Sequence, residues 1–306
     1  MKKILPIILV VIILTLSAYF LLFKPNGDNK NIEVIKISEF NKNPSCARLP
    51  IFLYKNKITR PVIDLSQTKY KGVAFHYGRG FRKVLHKKEW ERFDALGTYT
   101  ITPRGDIYLT PNPFISIKPT TFNLQKAIYK IDSNSGNLIR WMVIDEVKPT
   151  ANNPYGLISI EYDCKDNTLW ASAIDKSDYR GSKGRIYHIE PKDKKILEKI
   201  ENFDALTIKL LQTKSQRLLL AGSAIDNSLY AFKFNGNKIA KKPIKLLTLP
   251  QPNLHIRKIK IVGKNMLLLE AIKFKYSLVA ESNKKQRYIY IAKYNPDNGK
   301  WVISSK

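Results

Sequence analysis

The sequence predicts an all-β chain: a β-propeller of four-stranded blades behind one N-terminal transmembrane helix. Three observations carry this. Four stretches repeat one layout of strands and turns, a six-residue phrase recurs two repeat lengths apart, and the chain opens on a long uncharged apolar run.

The apolar run comes first in the chain. Ile4 to Phe23 contains no charge, and twenty helical residues span roughly 30 Å, enough to cross a bilayer core. Lys2 and Lys3 precede it, and a polar stretch from Lys24 to Asp28 follows, the layout of an export signal. Small residues occur only at Ser17 and Ala18, with Tyr19 to Phe23 prolonging the run beyond them, so an uncut signal anchor over 1–23 is expected. The first cysteine, Cys46, lies too far downstream for lipid attachment. Lys24, Lys30, Lys36 and Lys42 oppose the orienting charge of the N-terminus. Long domains nevertheless translocate largely regardless of such charge, and an extracytoplasmic domain, periplasmic or extracellular, is expected. Residues 24–43 read as a juxtamembrane linker and 44–306 as one domain.

Strand signals then dominate: short runs of Ile, Val, Tyr, Leu and Thr between clusters of Gly, Asn, Asp and Pro. In Arg82 to Leu96, Val84, Leu85, Trp90 and Phe93 fit either a short helical face or two short strands. The first repeat runs through Tyr99–Thr110 and Ala127–Leu138, and the second through Leu157–Ser172 and Arg185–Ile196. The third covers Thr207–Gly222 and Leu229–Lys238, and the fourth, looser, Ile259–Leu269 and Ile289–Trp301. Their turn residues Asp132, Glu190, Asn235 and Asn295 are spaced by 58, 45 and 60 positions. Glu91-Arg-Phe-Asp-Ala-Leu96 returns as Glu201-Asn-Phe-Asp-Ala-Leu206. Four-strand units of this length cannot bury both faces alone, and stacking them radially leaves few exposed edges. Ser45 to His76, with strands expected at Ile51–Tyr54, Pro61–Leu65 and Gly72–His76, supplies a further blade. Five or six blades fit, with six preferred.

The turns Pro103-Arg-Gly-Asp-Ile-Tyr108 and Cys164-Lys-Asp-Asn-Thr-Leu-Trp170, followed later by Ile-Tyr-Lys-Ile-Asp or Ile-Tyr-His-Ile-Glu, resemble the blades of NHL, YVTN and gluconolactonase-like propellers. The resemblance covers roughly Tyr99 to Trp301 and lies in blade construction, not in active-site residues. It implies, as an alternative to a binding role, a calcium-dependent lactone or ester hydrolase of gluconolactonase-like or strictosidine-synthase-like type. Its metal candidates are Glu161 on an inner strand, Asn152 and Asn153 leading to it, and Asp175 or Asp226 in loops, oxygen ligands that suit calcium. They match no complete ligand set, and Asn152 to Gly156 also reads as a turn.

Catalytic motifs are otherwise missing from the sequence. His76, His86, His188 and His255 show no zinc spacing, and there is no nucleophile elbow, phosphate loop or dinucleotide fingerprint. Trp90, Trp141, Trp170, Trp301 and the recurring Tyr108, Tyr129 and Tyr187 are expected to pack between blades. Cys46 and Cys164, an even pair in an exported chain, permit one bridge, the alternative being two buried thiols. The net charge of +28 is spread along the chain. It reads either as a solvated surface or as attraction to an anionic surface. No recognition motif or cytoplasmic location favours nucleic acid. The expected role is a membrane-anchored binding or scaffold module for a protein, peptide or anionic envelope polymer, without a firmly implied cofactor.

Overall fold

A computed structural model describes residues 37–40, 46–93, 95–113, 122–178, 180–277 and 286–306. They belong to one compact unit, Ile35–Lys306. The expected anchor at 1–23 and most of the linker lie outside the described residues. Among the described residues, no helix is long and apolar enough to cross a membrane.

The strands build five sheets in chain order, and the second strands of blades II, III and IV are buried along their whole length. Blade I holds β1 (Val62–Asp64), β2 (Ala74–Tyr77) and β3 (Lys83–Leu85). Blade II holds β4 (Leu96–Ile101), β5 (Ile107–Pro111), β6 (Ala127–Ile131) and β7 (Leu138–Val143). Blade III holds β8 (Leu157–Asp163), β9 (Thr168–Ala173), β10 (Arg185–Glu190) and β11 (Lys195–Glu201). In blade IV, β12 (Ala205–Gln212) and β13 (Arg217–Ser223) lead to β14 (Ser228–Asn235), with which both β15 (Lys238–Ile239) and β16 (Ile244–Thr248) pair. Blade V holds β17 (Leu254–Gly263), β18 (Met266–Lys273), β19 (Tyr288–Asn295) and β20 (Lys300–Ser305). All pairings are antiparallel. This is a five-bladed propeller. The four sequence repeats are blades II to V, and the recurring six-residue phrase leads into the first strands of blades II and IV, two blades apart.

The preferred count of six is corrected because the chain before blade II forms only three short strands. Ile51–Lys55, expected to begin with a strand, is a helix, α1. Its neighbours Phe52 and Leu53 are both buried while Ile51 and Tyr54 are exposed, a helical rather than an alternating pattern. The Asn56 side chain closes the helix by donating to the Phe52 carbonyl at 2.7 Å. Arg82 to Leu96 divides between both of its readings: β3, then a 3₁₀ segment at Lys88–Phe93 that buries Trp90.

Neighbouring blades share apolar cores. Phe75, Trp90 and Leu109 join I to II, Tyr108, Trp141 and Leu169 join II to III, and Trp170, Ile200 and Phe232 join III to IV. Leu220, Ile256 and Tyr290 join IV to V. Here Gly222 is required: a Cβ would lie 2.4 Å from the Ile256 carbonyl oxygen of the next blade. Tyr108, Tyr129, Trp170 and Tyr187 are all buried, as the repeat demanded.

Residues 37–40 and 46–50, before α1, lie against turns of successive blades at one end of the propeller. Ile37 N–H donates to Tyr294 Oη at 2.8 Å and Phe40 N–H to Asn265 Oδ1 at 2.9 Å, in blade V. Glu39 bridges Lys214 of blade IV (2.6 Å) and Lys264 of blade V (2.5 Å), whose hydrogen bonds hold its carboxyl down at about 2. Cys46 forms a disulfide with Cys164 of blade III, with Cα atoms 5.9 Å apart. Arg48 N–H then donates to the Thr102 carbonyl of blade II. Residues 37–40, placed in the linker on sequence grounds, are thus part of the packed domain, because Ile37 and Phe40 fill the core between blades IV and V.

The disulfide closes a loop of 118 positions and restricts the unfolded chain accordingly. Replacing Cys46 and Cys164 together by serine is expected to lower unfolding free energy by about 2–4 kcal/mol, read as a shift of the denaturant midpoint.

Candidate functional site

The first strands of the blades surround a channel of about 3000 Å³. In blades II to V each carries a pairing irregularity near its start, a β-bulge that bends the strand. Aligning these strands at the bulge gives Gly97-Thr-Tyr-Thr100, Ile158-Ser-Ile-Glu161, Leu206-Thr-Ile-Lys209 and Arg257-Lys-Ile-Lys260.

The second and fourth positions of this quartet do one recurrent job. The inner edge of a first strand has unpaired backbone groups that need partners, and for blades III and IV the preceding blade supplies them. Thr98 Oγ1 donates to the Ile158 carbonyl at 3.2 Å, and Thr100 Oγ1 accepts from Tyr162 N–H at 3.0 Å. One blade on, Ser159 Oγ accepts from Ile208 N–H at 3.1 Å and the Glu161 carboxylate accepts from Leu210 N–H. Glu161 also pairs with Lys209 Nζ at 2.5 Å, and burial raises its pKa against that pull.

Blade V departs from the series at the second position, where Lys258 stands in place of Thr98, Ser159 and Thr207, while its fourth residue, Lys260, matches Lys209 of blade IV. Its second and fourth positions are Lys258 and Lys260, and its bulge residue is Arg257. Glu270, opposite Lys258 on β18, has Lys258 Nζ at 3.9 Å, Lys260 Nζ at 3.6 Å and an Arg287 nitrogen at 3.6 Å. Arg257 donates to the Leu206 carbonyl at 3.1 Å. Among the described residues no carboxylate lies within ion-pair distance of its guanidinium. Three cations thus share one carboxylate, and Arg257, without an ion-pair partner among the described residues, adds its charge beside Lys258. Burial holds Lys258 below the usual ammonium range, and Lys260, Arg287 and Arg257 push the same way against Glu270. Burial lowers Arg257 as well. An arriving anion would relieve this repulsion, screened in part because the Lys258, Lys260 and Arg287 side chains are half or more exposed.

The carboxylates elsewhere around the channel are engaged. Arg217 Nη2 donates at 2.6 Å to both Asp163 and Asp166, and its guanidinium stacks 3.8 Å from the Phe234 ring.

The metal candidates named from sequence are dispersed into separate structural tasks. Glu161 does lie on a first strand, bound to Lys209. Asn152 is exposed in a bend, whereas the Asn153 amide is buried and donates to the Ile174 and Ser177 carbonyls. Asp175 is fully buried against Arg185, with contacts of 2.7 and 2.6 Å. Asp226 accepts from Tyr230 Oη at 2.7 Å. Among the described residues no group of three His, Cys, Asp or Glu side chains could hold a metal ion. His188 packs flat on Trp170, with ring centres 4.0 Å apart.

The cation cluster was missed in the sequence because the fourth repeat was aligned from Ile259, one residue after Lys258. Beginning the first and fourth repeats one residue earlier sets Thr98, Ser159 and Thr207 against Lys258 and exposes the change from hydroxyl to ammonium.

No family model matches this chain, and no curated protein matches it. Among solved structures it is similar to Kuenenia stuttgartiensis hydrazine synthase at 10% identity and a TM-score of 0.43, covering 80% of this chain and 62% of that one. The chain therefore spans less than two thirds of that structure's length.

Proposed function

We propose that this chain is a membrane-tethered, extracytoplasmic propeller of NHL-like blade construction that acts as a binding module for an anionic partner, a protein or an envelope polymer. The observation that carries the reading is the set Lys258, Lys260 and Arg287 around Glu270, with Arg257, unpaired among the described residues, adding its charge beside Lys258, where blade V faces the channel. A cation in place of a ladder hydroxyl, Lys258, crowded by further cations, makes a poor structural zipper and a good anion site. The uncharged run from Ile4 to Phe23 supplies the tether. The Cys46–Cys164 bond suits the oxidising side of a membrane.

The test uses the full-length chain in nanodiscs of zwitterionic lipid, titrated with a fluorescent polyglutamate. Lys258→Glu with Lys260→Glu is expected to weaken binding about tenfold or more. Lys192→Glu with Lys195→Glu, the same charge change on an exposed turn and outer strand of blade III, is expected to weaken it far less. Equal losses in the two variants would mean that polyglutamate senses only net charge, and the site would be refuted.

A further inference from the structure

The side chains that each blade presents to the next are buried in blades II, III and IV and half-exposed in blade V. The comparison can be made at one register position. Opposite the fourth quartet residue stand Tyr108, Trp170, Leu220 and Leu268. Tyr108 is 4% exposed, and Trp170 and Leu220 are fully buried, each in the core shared with the following blade. Leu268 is half-buried and belongs to none of the cores. On the third strand Ala231 is fully buried, and its counterpart Ile291 is only half-buried.

The pairing register lays out this whole face. Lys260, Leu268, Ile291 and Ser304 form one cross-strand row, Lys258, Glu270 and Ile289 the next, and Met266, Lys293 and Val302 a third. Val302 is 65% exposed. The centre is therefore apolar and the inner margin cationic. Blade I, next around the ring, turns Ile63, Phe75 and Leu85 towards its core with blade II. Among the described residues, no apolar core joins it to blade V.

We infer that this face of blade V docks a β-sheet element of a partner protein. That element would be apolar over Leu268, Ile289 and Ile291 and would carry carboxylates over Lys258 and Lys260. The inference rests on the proposed binding function and narrows its partner. A four-stranded face with an apolar centre is the surface that sheets cover by face-to-face packing, and the other blades cover theirs in this way. A flexible polyanion would satisfy the lysines but leave Leu268, Ile289 and Ile291 half-exposed. A second copy offering the same face would set Lys258, Lys260 and Lys293 against their own kind. At the second and fourth quartet positions, where Thr98 to Glu161 reach the next strand's backbone, ammonium groups would reach carboxylates instead.

Two probes separate these readings on the full-length chain in nanodiscs: a cyclised β-hairpin alternating valine with glutamate, and a polyglutamate of equal charge. The hairpin is expected to bind about tenfold more tightly than polyglutamate, the return on burying a few apolar side chains. Leu268→Thr with Ile291→Thr, which keeps strand-forming residues, should abolish that advantage and leave polyglutamate affinity within about twofold. Val302→Thr, at a position already mostly exposed, should give a smaller loss of the same kind without risk to folding. If polyglutamate binds as tightly as the hairpin and the threonine variants change neither, sheet docking is overturned while anion binding stands. If Lys258→Glu with Lys260→Glu leaves both probes unaffected, both readings fall. A concentration-dependent dimer that the hairpin does not dissociate would assign the face to a second copy and overturn the inference.

Discussion

Arg217→Ala is expected to destabilise the domain by about 3–5 kcal/mol, the usual consequence of leaving a buried charge without its partner. For a domain of this size that corresponds to a fall in Tm of roughly 10 °C. Arg217 is 7% exposed and reaches from the start of β13 to Asp163 and Asp166 at the β8–β9 hairpin, so it joins blades IV and III. Removing the guanidinium strands Asp163, 4% exposed, and empties the ring face of Phe234. The Arg217 hydrogen bond also holds the Asp166 carboxyl below its ordinary range. A carboxyl held down in the folded state contributes stability above its unfolded pKa and loses it as pH falls through the folded value. The difference between wild type and variant should therefore be full at neutral pH and shrink below about pH 4. Replacing Arg217, Asp163 and Asp166 together with apolar residues of similar volume should recover much of the loss, because the pair's own attraction largely repays its desolvation.

Trp170→Ala is expected to cost a similar amount, about 3–5 kcal/mol. Trp170 is fully buried at the centre of the interface between blades III and IV. It stacks on His188 at 4.0 Å and meets the edge of Phe234 at 5.6 Å. Its removal leaves a cavity that two hydrogen-bonded sheets can only partly collapse to fill. Chemical denaturation with an unchanged m-value and a lowered midpoint would report that loss; an unchanged midpoint would show that the blades do not depend on this contact.

Much of the architecture is legible in the residues. The recurrence of Ile-Tyr-Lys-Ile-Asp and Ile-Tyr-His-Ile-Glu marks third strands β6 and β10, and the doubled Phe-Asp-Ala-Leu marks entries to β4 and β12. These work because a stacked array needs the same buried shape at the same place in each unit. Blade I is less legible because its strands are only three or four residues long. Ile51–Tyr54 misleads for a related reason: an unbroken apolar run this short has no periodicity to separate helix from strand, and burial of the adjacent pair Phe52 and Leu53 decides for helix. The metal candidates are engaged separately, because carboxylates attract arginine and lysine as readily as a metal cation. Asp175 went to Arg185 and Glu161 to Lys209, pairings between residues distant or on separate strands that spacing alone does not reveal. The blade V cluster was hidden by the opposite problem. In a chain with 53 lysines and arginines, three of them on one strand attract no notice until the bulge sets Lys258 against Thr98, Ser159 and Thr207.

The most direct measurement is cysteine labelling on intact cells with a maleimide that cannot cross the cytoplasmic membrane. The native cysteines are joined to each other and do not react. Ile291→Cys, on the open face of blade V, and Ala231→Cys, at the same position of blade IV and fully buried, are compared in the full-length, overexpressed chain. The expected result is rapid labelling of Ile291→Cys from outside and protection of Ala231→Cys. Labelling of Ile291→Cys only after the membrane is permeabilised would contradict the extracytoplasmic placement, and equal protection of both positions in permeabilised cells would contradict an open fifth blade.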